Sequence, residues 1–492
     1  MRLSDKSEYI QKCKGLQRKQ GLLAEYVKKY SGQQIYELLV EMQSEALELG
    51  NALEEKGQTA LVTKLEIYCE QIYECSLVVE DAEEILNRYQ KLQKLSANIE
   101  ADIEAIQVKV KIAFFPYKIS MWDSLESIWE AAERDENCVC QVVPIPYYTK
   151  DDAGKIQNEY YEGEKFALSA PVTDYRTYFI EKEKPDIMYI HNPYDQYNKV
   201  TMVEPRFFST ELKRGGGILI YVPYYISGCC SKYENMLNAC GNIGAVHSDF
   251  IIMQSENLKK AYAYCGFPEK RLLVLGSPKI DAIRKLKYKE YGIVDKWRPI
   301  IENRKVILLN TSISTCLQNH EWLENIKEFV EPVLQDDRLA LIWRPHPLLL
   351  DAIQTLVKEE KQYGTLLDRI TNASNAIIDD SETAEAAIQV SDAMISDYSS
   401  LVMQYSFTGK PTYLLTGKST DRKYHVFCDY FSNYFRQDGV LLEDFLDMVI
   451  QGTDAKKEER LQYTANSMAN TDGTCGEKIH QEIYRKVMES IK

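Results

Sequence analysis

The chain lacks the features that would take it out of an aqueous compartment. Its 492 residues contain no run of about eighteen apolar residues, so no membrane-spanning helix is expected. The opening Met1-Arg2-Leu3-Ser4-Asp5-Lys6 has no apolar secretion-signal core, and a cytosolic location is expected. No Cys-x-x-Cys occurs, and the only close pairs among 12 cysteines are Cys138-x-Cys140 and Cys229-Cys230. Reduced, mostly buried thiols follow, in preference to a disulfide framework or a structural metal. Positive charge is in deficit, and a net charge of -15 repels phosphate backbones, which argues against general nucleic-acid binding. No nucleotide-binding glycine signature holds: Gly215 to Gly217 precede a strand, and Gly417-Lys418-Ser419 has Thr412 where a phosphate loop needs its first glycine.

Proline is missing from Ser4 to Ala105, where apolar residues recur three and four apart. Leu65, Tyr68, Cys69, Ile72 and Tyr73 form one stripe, and Ile85, Leu86, Tyr89, Leu92 and Ile99 another. Breaks at Ser31-Gly32, Gly50, Gly57 and Val79-Glu80-Asp81 predict four helices in hairpins over 1–105. Residues 1–30 carry eight Lys/Arg against three Asp/Glu, whereas 31–105 carry five against sixteen. A basic first helix could touch an anionic membrane, or could simply be a solvated face. With no catalytic grouping there, the region is expected to serve docking or assembly, as a homo-oligomer or with a protein partner.

The composition, 45% apolar and 27% charged, is that of a globular protein, and the length suits roughly three domains. From Val108 short β-rich runs alternate with amphipathic stretches, which predicts parallel sheets built from βαβ units. A first α/β domain over 106–290 has strands at 108–115, 138–145, 186–191, 217–222, 250–254 and 272–276, with a helix over 122–134 opened by Asp123 or Ser124. Four strands run into aromatic, polar loops: Pro116-Tyr117-Lys118, Pro146-Tyr147-Tyr148, His191-Asn192-Pro193-Tyr194 and Pro223-Tyr224-Tyr225. They either terminate strands or form one cleft rim suited to a polyhydroxylated ligand, and 34 tyrosines fit such a lining. Tyr117, Lys118, His191 and Asn192 are the candidate acceptor-side residues, although a lone histidine is as often structural.

A linker around Lys296-Trp297-Arg298-Pro299 leads to a second α/β domain over 291–475, with strands at 305–309, 339–343, 376–379, 393–396 and 411–415. Their ends carry Asn310-Thr311-Ser312, Arg344-Pro345-His346-Pro347 and Ser396-Asp397-Tyr398-Ser399-Ser400. A proline-flanked guanidinium and imidazole suit a phosphate oxygen. Hydroxyls and free N–H groups at Ser399 and Ser400 could hold a phosphate, or could only cap the helix that follows. Asp379, Asp380 and Glu382 could bind ribose hydroxyls or sit at a solvated helix start. The segment 476–492 reads as a helix crossing back onto the first α/β domain.

Four motifs in this order resemble the CDP-glycerol glycerophosphotransferase family of teichoic-acid polymerases and primases. They are Gly276-Ser277-Pro278-Lys279-Ile280-Asp281, Arg344-Pro345-His346-Pro347, Ser391-Asp392-Ala393-Met394-Ile395-Ser396-Asp397-Tyr398-Ser399-Ser400, and Asn470-Thr471-Asp472-Gly473. The resemblance implies a glycosyltransferase-B (GT-B) fold: α/β, with two Rossmann-like domains, here preceded by an all-α helical N-terminal region. It implies a CDP-alcohol donor, no cofactor or metal, and transfer of a polyol phosphate to a lipid-linked polymer acceptor at the inner membrane face, with CMP leaving. The implied donor-binding set is Arg344, Asn310, Thr311, Ser312, Ser396, Asp397, Ser399, Ser400, Gly276, Lys279 and Asp281, with His346 catalytic at the donor phosphates. The family's Trp-His-Gly-Thr, whose histidine is the presumed base, is replaced by Pro223-Tyr224-Tyr225-Ile226, which leaves Tyr224 and Tyr225 as the catalytic candidates there. A GT-B glycosyltransferase using a nucleotide sugar and a catalytically impaired scaffold are the alternatives.

Overall fold

The computed structural model describes residues 3–151, 153–227, 240–288, 290–312, 322–345, 349, 353, 360–397, 399–415, 435–436 and 439–489. The chain divides into two compact units, Met1–Lys111 with Glu136–Val139 and Arg485–Lys492, and Ile112–Asp135 with Cys140–Tyr484.

The first unit is helical: α1 (Leu3–Lys29), α2 (Gly32–Glu54), α3 (Thr59–Ser76) and α4 (Ala82–Ala105). Without proline nothing breaks the i to i−4 ladder, and each helix runs five turns or more. Asp81 opens α4 by accepting the amides of Glu83 and Glu84. Leu39, Met42, Leu49, Tyr68, Ile72, Ile85, Leu92 and Ile99 fill the core. Gln20, buried among them, donates to the Tyr68 hydroxyl at 2.9 Å and accepts from Ser96 at 3.0 Å, so its burial leaves no amide atom unpaired. Gly50 does not break a helix as expected; it lies inside α2, buried, where a side chain would meet Leu65. Among the described residues no helix is long and apolar enough to cross a membrane.

In the first α/β half the strands are β1 (Val110–Phe115), β2 (Cys138–Val142), β3 (Tyr147–Lys150), β4 (Ile156–Tyr160), β5 (Ile187–Ile190), β6 (Thr201–Val203), β7 (Ile218–Tyr221), β8 (Phe250–Met253) and β9 (Leu272–Val274). Six form a sheet in the order β2-β1-β5-β7-β8-β9, while β4-β3-β6 make a small antiparallel sheet. That second sheet escapes a reading by apolar periodicity because every residue of β4 is exposed. Pro146-Tyr147-Tyr148 therefore leads into a strand of its own instead of forming a loop. The expected helix over 122–134 begins later, at Glu126–Glu133, preceded by a 3-10 turn over Ile119–Ser124.

The second half contributes β10 (Lys305–Thr311), β11 (Leu339–Pro345), β12 (Ala376–Ile378), β13 (Ala393–Ser396), β14 (Thr412–Leu414) and β15 (Phe435–Arg436), ordered β12-β11-β10-β13-β14-β15. Strand alternation sends Ile307, Leu309, Leu341, Trp343 and Ile395 into one apolar layer and Val306, Leu308, Ala340, Ile342 and Met394 into the other. Burial on both faces is why these strands read as unbroken apolar runs. The stretch expected as a linker at 296–299 is instead part of a helix, Gly292–Ile301, with Trp297 buried and Pro299 inside it. Two parallel sheets, following an all-helical N-terminal region in the chain order, make the α/β fold class anticipated from the sequence.

Candidate functional site

Parallel pairing sets Asn310 of β10 opposite Arg344 of β11 on one side and opposite Ser396 of β13 on the other. Three candidate donor residues thus form one row at the carboxyl ends of adjacent strands, where open α/β sheets bind ligands. Asn310 Nδ2 donates to Ser396 Oγ at 2.8 Å and to Ser399 Oγ at 3.0 Å. Ser399 occupies the N-cap position of the helix Ser400–Ser406 but makes no capping hydrogen bond; its hydroxyl serves this cross-strand link. Buried Asp397 accepts the Ser312 amide at 2.9 Å and the Ser312 hydroxyl at 3.0 Å, tying the loop after β10 to the loop after β13. Thr311, also buried, accepts from the Trp343 indole at 3.2 Å. Arg344 donates to Asp379 at 2.7 Å and to Ser381 at 3.1 Å, so Asp379 orients the guanidinium.

In the first sheet Phe115, Ile190 and Tyr221 are in register, so the loops beginning at 116, 191 and 222 leave from one edge. Their aromatic rings are in succession: Tyr117 meets His191 at 5.4 Å, His191 meets Tyr224 at 6.3 Å, and Tyr224 meets Tyr225 at 5.2 Å. Lys118 lies over the Tyr147 ring at 4.6 Å, and burial lowers its pKa. Burial pushes the Tyr225 phenol up to about 12 and the Tyr224 phenol further.

His191 is fully buried, and its protonation is set by its neighbours. The Tyr117 amide donates to Nε2 at 3.2 Å, so Nε2 accepts and the proton belongs on Nδ1, 3.2 Å from the Met121 carbonyl and 3.0 Å from Ser124 Oγ. Burial, the main cause, with Lys279 assisting, holds the imidazole down at about 3. A folded pKa below the unfolded value of about 6.5 makes the neutral ring stabilising at neutral pH. That contribution is expected to fall by about 1.4 kcal/mol per unit as pH drops below about 6.5, until the folded pKa is reached. Denaturation midpoints measured between pH 7 and 5 should show a shallower acid loss in His191→Gln.

A cavity of about 320 Å³ joins the two halves. Tyr224, Tyr225 and Lys279 line it from the first half, and Asn310, Arg344 and Ser400 from the second. Residues that motif reading did not single out as site residues also line it: Trp122, Asp123, Glu126, Thr383, Glu385 and Gln404. Asp123 was legible only as a helix opener, because its partner Lys279 is 156 residues away. Glu382, on the same lining, pairs with Lys165 of the first half at 2.5 Å.

The remaining candidates are engaged elsewhere. Gly276 has φ +96, and a Cβ there would lie 2.2 Å from the Ala469 carbonyl oxygen. Asp281 accepts the amides of Cys475 and Gly476 at 3.1 and 2.8 Å, at the start of the helix Cys475–Glu489. Asn470 donates to the Leu275 carbonyl at 2.9 Å, so the first and last motifs pack on each other. Asn192 accepts the Tyr194 amide at 3.3 Å and, like Tyr117, Lys118 and His191, does not line the cavity. His346, Pro347 and Tyr398 lie outside the described residues.

A family model described as CDP-glycerol:poly(glycerophosphate) glycerophosphotransferase matches residues 235–485, just over half of the chain. The chain belongs to this family. The match takes in every residue of the Asn310–Arg344–Ser396 row, so the geometry above is that of a glycerophosphotransferase-family chain. No curated protein matches the chain. Similar solved structures include the wall teichoic acid polymerase TagF, at 15% identity and TM-score 0.46, covering 86% of this chain and 99% of that one. The MnaA–UDP structure from S. aureus has 15% identity and TM-score 0.49, covering 77% and 97%. The UDP-GlcNAc 2-epimerase from Methanocaldococcus jannaschii has 15% identity and TM-score 0.48, covering 76% and 100%.

Proposed function

We propose that this chain transfers glycerol phosphate, or a related polyol phosphate, from a CDP-activated donor to the end of a lipid-linked cell-envelope polymer, with CMP as the leaving group. The observation that carries the reading is the row of Asn310, Arg344 and Ser396, of which Asn310 and Arg344 line a cavity, within a glycerophosphotransferase-family match. The donor's phosphates meet Arg344, whose fork is preset by Asp379, and the hydroxyls of Ser399 and Ser400. Its free energy of binding is directed to positioning and charge neutralisation, which is most of what phosphoryl transfer asks of a protein. The activated polyol is substrate, and no resident cofactor is invoked. The helical N-terminal region holds the protein at the inner membrane face or on a partner, through the basic charge of α1.

Isothermal titration tests the donor assignment directly. CDP-glycerol and CDP are expected to bind more tightly than UDP-sugars. Absence of binding by any cytidine nucleotide overturns the reading, and preference for a UDP-sugar selects the nucleotide-sugar alternative.

A further inference from the structure

We propose that Asp123 is the catalytic residue that accepts the proton of the attacking hydroxyl, filling the place left by the family's missing histidine. The inference rests on the transferase reading above. Tyr224 and Tyr225 are poorly suited to that task, since burial favours their protonated phenols at neutral pH.

Four carboxylates line the cavity: Asp123, Glu126, Glu382 and Glu385. Glu382 is half-exposed and paired with Lys165, and Glu385 accepts the Tyr291 hydroxyl at 2.6 Å; both belong to the donor half. Asp123 and Glu126 belong to the acceptor half, and Asp123 is held on both of its oxygens. Lys279 Nζ lies 2.7 Å from its Oδ1 and 2.6 Å from its Oδ2, and Gln404 Nε2 lies 3.4 Å from Oδ2. The ammonium also places a positive charge beside the incoming phosphate. Gln404 sits on the helix that follows Ser399, so the carboxylate is linked to the donor row from across the cavity.

The step balances without a further reactant. The acceptor oxygen forms a bond to the outer phosphorus of the donor while its proton moves to an Asp123 oxygen. The bond from that phosphorus to the bridging pyrophosphate oxygen breaks, and CMP leaves with the electron pair. A carboxylate suffices because phosphoryl transfer proceeds through a loose transition state in which little proton movement is required early.

Turnover is measured at saturating CDP-glycerol with a short synthetic oligo(glycerophosphate) as acceptor, following CMP release and chain extension. Asp123→Asn, which keeps the shape, is expected to lower turnover on the order of 100-fold while leaving the dissociation constant for CDP-glycerol within twofold. A loss smaller than about tenfold, or a larger loss accompanied by weaker CDP-glycerol binding, overturns the assignment. Should the single variant unfold because Lys279 is left unpaired, Asp123→Asn with Lys279→Met removes both charges, and turnover above a tenth of wild type then overturns it. Failure of the transferase reading itself looks different: the wild-type protein releases no CMP.

Discussion

Arg344→Ala is expected to cost the second α/β half about 3–5 kcal/mol, the usual cost of stranding one member of a buried ion pair. The Arg344 side chain is 13% exposed and that of Asp379 is 0%, with 2.7 Å between them. Removing the guanidinium leaves a carboxylate in the interior, supported only by the Ser381 amide and hydroxyl among its described partners. The second variant Arg344→Met with Asp379→Asn removes both charges and should recover much of the stability, because neither group is then buried as an uncompensated ion. CDP-glycerol affinity should not recover with it, since the row beside Asn310 lacks its cation in both variants. Denaturation midpoints and titrations on the two proteins separate these effects. A single variant within about 1 kcal/mol of wild type would show that Asp379 is rehydrated or satisfied by other groups.

The second large effect lies away from the cavity. Asp281→Ala should destabilise by about 2–4 kcal/mol, because the buried amides of Cys475 and Gly476 lose their acceptor. Asp281→Asn retains one carbonyl oxygen and should lose about half as much. Neither should change the CDP-glycerol dissociation constant by more than twofold, as the carboxylate does not line the cavity. A selective loss of donor binding at unchanged stability would return Asp281 to the donor set that its motif suggests.

These two residues mark where motif reading separates from geometry. Arg344 and Asp281 stand in motifs of equal apparent strength, yet one faces the cavity and the other caps a helix that starts 194 residues later. Gly276 belongs with Asp281: its positive φ and the Ala469 carbonyl beside it explain a glycine there through packing. The Asn470-Thr471-Asp472-Gly473 stretch contributes the matching side of that contact, since Arg284 donates to the Thr471 carbonyl at 3.0 Å. Apart from Lys279, which lines the cavity, two of the four motifs therefore form one structural joint, and the other two share the row.

The helical N-terminal region, the alternation of strands and helices, and the polar strand ends at 310, 344 and 396 could all be read from the sequence alone. Each follows from local physics: helical spacing without proline, and apolar runs buried on both faces of a parallel sheet. The antiparallel β4-β3-β6 sheet could not, because a fully exposed strand carries no apolar period. Nor could the assembly of the cavity. The Asn310–Arg344–Ser396 row depends on strand register, and the Asp123–Lys279–Gln404 contact joins residues up to 281 positions apart. Such contacts are selected by the packing of whole elements, which no local pattern encodes, so the chemistry was legible as residue types and its geometry came only with the fold.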